Sequence, residues 1–326
     1  MTISFADRPV RVRVPATSAN LGPGFDALGL ALTMYDVVEA RAEGTGLSIE
    51  VSGEGQGTAA AGESHLVVRA MRESFGIMGA QPPGIALRCD NRIPHGRGLG
   101  SSAAAIVAGI LAARALTDDG AARLPDDAVL ALATAMEGHP DNVAACLGGG
   151  LTIAWTTPGG PRMTRLSPQP GVVPVALIAP EPMITEAARR VLPESVPHAD
   201  AAANAGRSAL LIAALTSDPG ALLDATQDWL HQPYRAGAMP ATADLLRRLR
   251  EAGIPAVVSG AGPSVLAFLQ SPVSPGGMPA PVGLDVVDST VREMGSGWSI
   301  SVLAVDRHGA SIESVTPDVS SAGGTQ

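Results

Sequence analysis

The segment PHGRGLGSSAAA, Pro94 to Ala105, sets three glycines and two serines directly ahead of an alanine-rich run. Glycines let successive backbone N–H groups turn toward one point, and a following helix adds its unpaired first-turn amides and the positive end of its dipole. Such a nest can hold an anion, phosphate above all. A plainer reading of the same residues has Ser101 or Ser102 capping a helix behind an ordinary turn. Two more glycine-rich elements, TSANLGPGFDALG (Thr17 to Gly29) and SGAGPS (Ser259 to Ser264), stand at the ends of strand-like runs, and the first carries a carboxylate, Asp26. Three such elements in one chain point to a folded phosphate pocket more than to turns alone. All 22 basic residues are arginines, so a lysine Schiff base and the lysine of a G-x-x-x-x-G-K-[ST] loop are both excluded.

Composition narrows the class further. The chain has 326 residues, 46% hydrophobic and 16% charged, which suffices for a sizeable core and suggests two domains. No uninterrupted apolar run reaches the ~18 residues of a membrane span. The N-terminal MTISFADRPVRVRV has charges where an export leader needs an apolar stretch, so a cytoplasmic location is expected. Cys89 and Cys146 are too few for a disulfide framework and fit a reducing compartment. A net charge of -9 with 3% aromatic residues argues against nucleic acid as a partner.

The elements that must position the pocket follow from periodicity. RVRVPAT, DVVEARAE and LSIEVSGEG alternate as strands, then Leu66, Val67, Ala70, Met71 and Phe75 recur at helical spacing between His65 and Gly79. GIALRCDN is a further strand that delivers the chain to Pro94. A helix is expected from Ser101 to about Leu116, and another after LPDD, ending near Glu137. GGGLTIAWTTPGGP reads as a strand closing in a turn, with the domain boundary near Pro161 to Pro170. The second half opens with the strand VVPVALIA. Helices are expected over Thr185–Leu192, Ala203–Leu215, Ala221–Leu230 and Thr242–Ala252. PAVVSGAGPSVLAFL supplies two strands around a glycine turn, and WSISVLAVD a last one. This is an α+β pattern with a mostly antiparallel second sheet. QSPVSPGGMPAPVG reads as a loop, and SSAGGTQ as part of an unstructured tail.

At this point the residues carry a family resemblance. PHGRGLGSSAAA resembles the ATP-phosphate loop of the galactokinase, homoserine kinase, mevalonate kinase and phosphomevalonate kinase (GHMP) superfamily. VPATSANLGPGFDALGLAL is similar to the N-terminal motif of its homoserine kinase family, and EGHPDN and SGAGPS fall where that family's other motifs fall. The resemblance spans roughly residues 10 to 305. It implies a two-domain α+β fold: an ATP-binding domain, 1–165, with a left-handed β-α-β unit that departs from the usual handedness, and a ferredoxin-like domain, 166–308, followed by a tail, 309–326. The active site would lie between the domains.

The same resemblance implies the chemistry. ATP would donate its γ-phosphoryl group to the hydroxyl of L-homoserine, with ATP held by Pro94, Gly96, Arg97, Gly98, Leu99, Gly100, Ser101 and Ser102. His65, where relatives commonly have asparagine, would lie near the nucleotide. Asp26 and Asn20 would meet the ammonium or hydroxyl end of the amino acid; Asx side chains at such positions also cap turns. Arg189 and Arg235 would hold its carboxylate, since arginine offers a bidentate fork, with Arg190 close enough to compete for the assignment. His139, ahead of a proline, should sit in extended backbone, and His139, Asp141, Gly260 and Gly262 would face the substrate. Asp141, Asn142 and Ser102 are the candidate catalytic residues. Mg²⁺ would be bound through Ser102 and a carboxylate. Relatives often place that glutamate two helical turns before the histidine of GHPDN; here that position is Ala131, which leaves Glu137 as the nearest carboxylate. No catalytic base is assigned. A homodimer is the assembly to look for.

Three other readings are weighed. Another kinase of the superfamily acting on a mevalonate-like alcohol would have no use for the paired Asp26 and Arg235 environment, which suits a zwitterion. A nicotinamide-dependent oxidoreductase fails on spacing, since GRGLGSS is not G-x-G-x-x-G and no acidic residue ends a strand some 20 residues on. A catalytically inactive nucleotide-binding relative stays open because of Ala131.

Overall fold

Alternation drives the first half into a sheet: Val10, Val12 and Val14 of β1 (Val10–Ala19) point into the core while Arg11 faces solvent. The computed structural model describes residues 3–57, 62–183, 185–272, 280–295 and 297–313. β1 pairs antiparallel with β2 (Leu28–Glu43), with a register shift between Pro15 and Ala16. β3 (Gly46–Gly53) and β4 (Gly84–Asn91) pair in parallel, joined by α1 (Leu66–Met78), which buries Val67, Ala70, Met71 and Phe75. These three elements are the β-α-β unit of the domain.

α2 (Ser101–Leu116) has apolar residues on all sides and is buried accordingly, from Ala103 through Ala113 with few breaks. α3 (Gly120–Arg123), α4 (Asp126–Glu137) and α5 (Pro140–Gly148) lead to the hairpin of β5 (Leu151–Thr157) and β6 (Gly160–Leu166). β5 joins the sheet through β2. The proposed domain boundary at 165/166 therefore falls within the last residues of β6.

The second half places β7 (Val172–Ile178) first, then α6 (Thr185–Arg190), α7 (His198–Thr216), α8 (Leu222–Ala225), α9 (Gln232–Arg235) and α10 (Pro240–Glu251). β8 (Ala256–Val258), β9 (Val265–Gln270), α11 (Leu284–Glu293) and β10 (Ser299–Val302) complete it. The four strands run β10-β7-β9-β8, each pair antiparallel. Numbered from β7, that is the 4-1-3-2 order of a ferredoxin-like domain. One face of this sheet packs on α10 and α11 through Leu245, Leu249, Val287 and Val291. The other face joins the main core, which contains Leu266 and Phe268 beside the first domain's residues.

Several expectations are corrected. The helix expected over Ala221–Leu230 is only α8, because Asp228 turns the chain by accepting from the amides of Leu230, His231 and Gln232. α9 and α11 were not expected. The tail does not begin at 309: Asp306 accepts from the amides of His308 and Gly309, and β11 (Ser311–Glu313) pairs with β1 in the first sheet. Residues 314–326, and 273–279 of the expected loop, lie outside the described residues.

Candidate active site

The ends of β1, β4 and β7, the start of α5 and the turn between β8 and β9 meet around a cleft of about 560 Å³. The glycine-rich loop after β4 forms one wall. Gly96, Gly98 and Gly100 all have φ between 65° and 74°, a region that side chains resist. Close packing adds a second reason for glycine: a Cβ on Gly98 would sit 2.2 Å from the Ser259 carbonyl oxygen, and one on Gly100 would sit 2.0 Å from Thr17 Oγ1. No side chain caps α2, whose N-cap is Gly100 itself. The first-turn amides are thus available to a ligand, which favours the nest over the plain capping reading.

Two side chains of this loop serve the fold. The Arg97 guanidinium donates to the carbonyls of Ala179, Pro180 and His95, at 2.8, 2.6 and 2.9 Å. It fastens the loop to the segment after β7. The Leu99 side chain is core, 1% exposed, and its carbonyl accepts from the Thr17 amide.

Ser102 Oγ donates to Glu137 Oε1 at 2.6 Å, where α4 ends and Gly138 turns the chain. The carboxylate that meets this serine is Glu137, on the same helix as Ala131. His139 follows in extended backbone, φ −153° and ψ 151°, as its proline neighbour requires. His139 Nδ1 lies 2.7 Å from Asp141 Oδ1, which also accepts the Asn142 amide at 2.8 Å. Burial opposes charge on this imidazole, but the hydrogen bond and charge of Asp141 prevail and raise its pKa above the ordinary value. Asn142 in turn accepts the Thr17 hydroxyl at 2.8 Å.

The β1–β2 loop makes the opposite wall. Asn20, Leu21 and Asp26 all have positive φ, between 50° and 66°. Asn20 pins this strained turn: its Nδ2 donates to the Gly260 carbonyl at 2.8 Å and its Oδ1 accepts the Asp26 amide at 2.9 Å. Asn20 lines the cleft, yet both ends of its amide already serve the fold. Gly260 lines the cleft too; Gly262 does not, and instead closes the β8–β9 turn through its amide to Ser259 and packs beneath Met239.

Asp26 and Arg189 form a two-pronged ion pair at 2.7 and 3.1 Å. Arg235 has a different environment. It is 1% exposed, donates to the Ala188 carbonyl and to His231 Nδ1, at 3.1 and 3.0 Å, and has no carboxylate within 4 Å among the described residues. Burial, then the neighbouring Arg189, push its pKa down to about 10, still far above neutrality. Phe25 stacks on His231 and lies under both guanidinium groups. His231 and Phe25 were not singled out from sequence; the HQPYR segment was a usable signal for the first, and nothing local marks the second.

Beside Ser101 and Ser102 a second cavity of about 360 Å³ opens, lined by Val38, His65, Leu66, Asn91, His95 and Ala105 among others. His65 is buried there and its Nδ1 has no hydrogen-bond partner among the described residues, a costly state for a polar atom unless a ligand completes it.

Comparison with known proteins bears on this geometry. The family described as GHMP kinases N terminal domain matches residues 64–150, and GHMP kinases C terminal matches residues 210–276. The homoserine kinase of Streptomyces coelicolor is 53% identical over 309 residues, 95% of this chain and 96% of its own length. The chain belongs to the homoserine kinase family. Another of these homoserine kinases, from Leifsonia xyli, is 49% identical over 99% of this chain and 98% of its own. A crystal structure of homoserine kinase from Cytophaga hutchinsonii aligns with a TM-score of 0.77 at 25% identity, covering 95% of this chain and 98% of that one. The mevalonate kinase of L. major shares the fold, with a TM-score of 0.63 at 14% identity over 91% and 96% of the two chains. Membership in the homoserine kinase family makes the chain an ATP-dependent small-molecule kinase. No helix among the described residues is long and apolar enough to cross a membrane.

Proposed function

We propose that the chain transfers the γ-phosphoryl group of ATP to the side-chain hydroxyl of L-homoserine, giving O-phospho-L-homoserine and ADP, a step of threonine biosynthesis. The observation that carries the reading is Arg235: a buried guanidinium with no carboxylate partner among the described residues, set beside the Asp26–Arg189 pair and lining the same cleft as the glycine loop. A buried cation needs an anion. The amino-acid carboxylate supplies it, with Arg189 as second donor, and the ammonium goes to Asp26. A mevalonate-like alcohol has a carboxylate but leaves Asp26 unused.

ATP lies with its phosphates on the amides of residues 95–102, after Pro94, and its base in the cavity beside His65, whose Nδ1 meets the base edge. Mg²⁺ fits the hydroxyl and carboxylate of Ser102 and Glu137, two oxygen donors that leave room for phosphate oxygens and water. Among the described residues no cluster of three or more acidic, histidine or cysteine side chains could form an all-protein cage. When bound, the ion neutralises charge on the phosphate oxygens. Phosphoryl transfer asks the protein for alignment and charge more than for covalent chemistry. Asp141 and Asn142, locked by His139 and Thr17, orient the hydroxyl toward the phosphate. The two buried thiols, both pushed upward by burial, suit a reducing cytoplasm.

ADP release assayed with homoserine, with mevalonate and with no acceptor tests the function. Turnover with homoserine alone is expected; equal rates with mevalonate would overturn the assignment, and silence with both despite ATP binding would favour an inactive nucleotide-binding relative.

A further inference from the structure

We propose that Asp36 is a positioning residue for the nucleotide, fixing the point at which β4 hands over to the phosphate loop. The inference rests on the functional reading above in taking residues 94–102 as the phosphate loop.

Asp36 lies within β2, opposite Val14 of β1, and is 5% exposed. The β2–β4 ladder ends at Val37↔Asp90. Beyond it the chain runs through Asn91, Arg92 and Ile93 to Pro94, which has no amide proton to offer. The amides of Arg92 and Ile93 therefore leave the ladder, and a buried amide without an acceptor is costly. One oxygen of Asp36 takes both: Oδ1 accepts from Arg92 at 2.6 Å and from Ile93 at 2.8 Å. Ile93 is wholly buried, so these bonds and its side chain set the height and direction of the chain three residues before Gly96.

Folding alone would be served by a neutral acceptor such as an asparagine oxygen, which would take the same two amides without burying a charge. Burial pushes the Asp36 carboxyl up to about 6 even though the two amides and His95 favour its ion. Its carboxylate also borders the base-side cavity together with His65 and His95. A charged acceptor kept in the sheet at that cost does work beyond it: the amide nest is only as precise as its anchored end, and a small displacement there shifts every donor aimed at phosphate.

The test compares Asp36→Ala with Asp36→Asn, whose Oδ1 still accepts both amides. ADP affinity is read by calorimetry without acceptor, KM for each substrate by steady-state assay, and folding by thermal melting. Asp36→Ala is expected to weaken ADP and raise the ATP KM by about tenfold or more, with the homoserine KM within about twofold; Asp36→Asn recovers most of the loss. A folded Ala variant with unchanged nucleotide affinity, or one losing both substrates and kcat in proportion, overturns the proposal. If the Ala variant does not fold, Asp36→Asn carries the test: ADP two- to fivefold weaker supports the proposal, since charge-assisted bonds exceed neutral ones, and unchanged ADP affinity assigns Asp36 to the fold alone. Because ADP binding needs no acceptor, a wrong substrate assignment would leave these outcomes intact and show itself only in the acceptor assay.

Discussion

Asp26 and Arg189 hold each other through two parallel hydrogen bonds, 163 residues apart in sequence and each side chain 37% exposed. The two charges that would bind opposite ends of a zwitterion thus neutralise each other, within reach of solvent and of substrate. An amino acid can enter by exchange, its carboxylate taking Arg189 and its ammonium taking Asp26, with no net charge left unpaired. An acceptor lacking the ammonium must break the pair and leave Asp26 alone. Homoserine is therefore expected to beat 4-hydroxybutanoate strongly in kcat/KM, and Asp26→Asn to narrow that ratio by roughly 10- to 100-fold, the size of one charged hydrogen bond. An unchanged ratio would place the ammonium elsewhere.

Arg235 gives a sharper case, because its charge has no carboxylate partner among the described residues until substrate arrives. Arg235→Met should raise the homoserine KM about 30-fold or more and leave the ATP KM within about twofold. Arg235→Lys should rescue little, since a lysine cannot reach the Ala188 carbonyl, His231 Nδ1 and a substrate carboxylate from one planar fork. Equal effects on both substrates, measured by steady-state kinetics, would remove Arg235 from the carboxylate site.

His139 and Asp141 make a pH prediction with a definite sign. The imidazole pKa is raised because Asp141 outweighs burial. The stabilisation from this pair is fully present below the unfolded pKa of ~6.5 and is lost as pH rises through the higher folded value. In Asp141→Asn the acidic partner is gone while burial and Arg189 still oppose protonation, so the His139 resonance should titrate lower in an NMR pH series. Titration at the wild-type position would mean that the 2.7 Å contact does not govern the histidine.

What the sequence made legible was local. Glycine spacing from Gly96 to Gly100 announces a nest because the backbone conformation it needs is written in those residues, and His139 announces extended backbone through Pro140. The alternation of β1 and the helical stripe of α1 placed those elements for the same reason. Asp36 was silent, since an aspartate inside a strand gains its meaning only from amides 56 and 57 residues away. The Asp26–Arg189 pair was read as two separate substrate contacts; sequence spacing cannot show that they meet. The part played by the Arg97 side chain was equally silent, because its position in the motif cannot show that the guanidinium turns back to three carbonyls. The short helices around His231 escaped because Asp228 sets them by capping, against a helical run that looked continuous from Ala221.

Ser102 and Glu137 complete the cleft, and their contact of 2.6 Å makes the metal proposal measurable. A hydroxyl and a single carboxylate give a weak site by themselves, so the ion should bind well only with nucleotide, whose phosphate oxygens supply further ligands. Mn²⁺ titrated by EPR should bind the ADP complex much more tightly than the free protein. Glu137→Gln should weaken that binding about tenfold while ADP alone, held by main-chain amides, binds nearly as before. Ser102→Ala should lower kcat by roughly 10- to 100-fold, the range expected when one hydrogen bond to a charged group is removed. If Glu137→Gln leaves Mn²⁺ affinity in the ADP complex unchanged, the carboxylate serves only to hold Ser102, and the ion must find its protein ligand elsewhere.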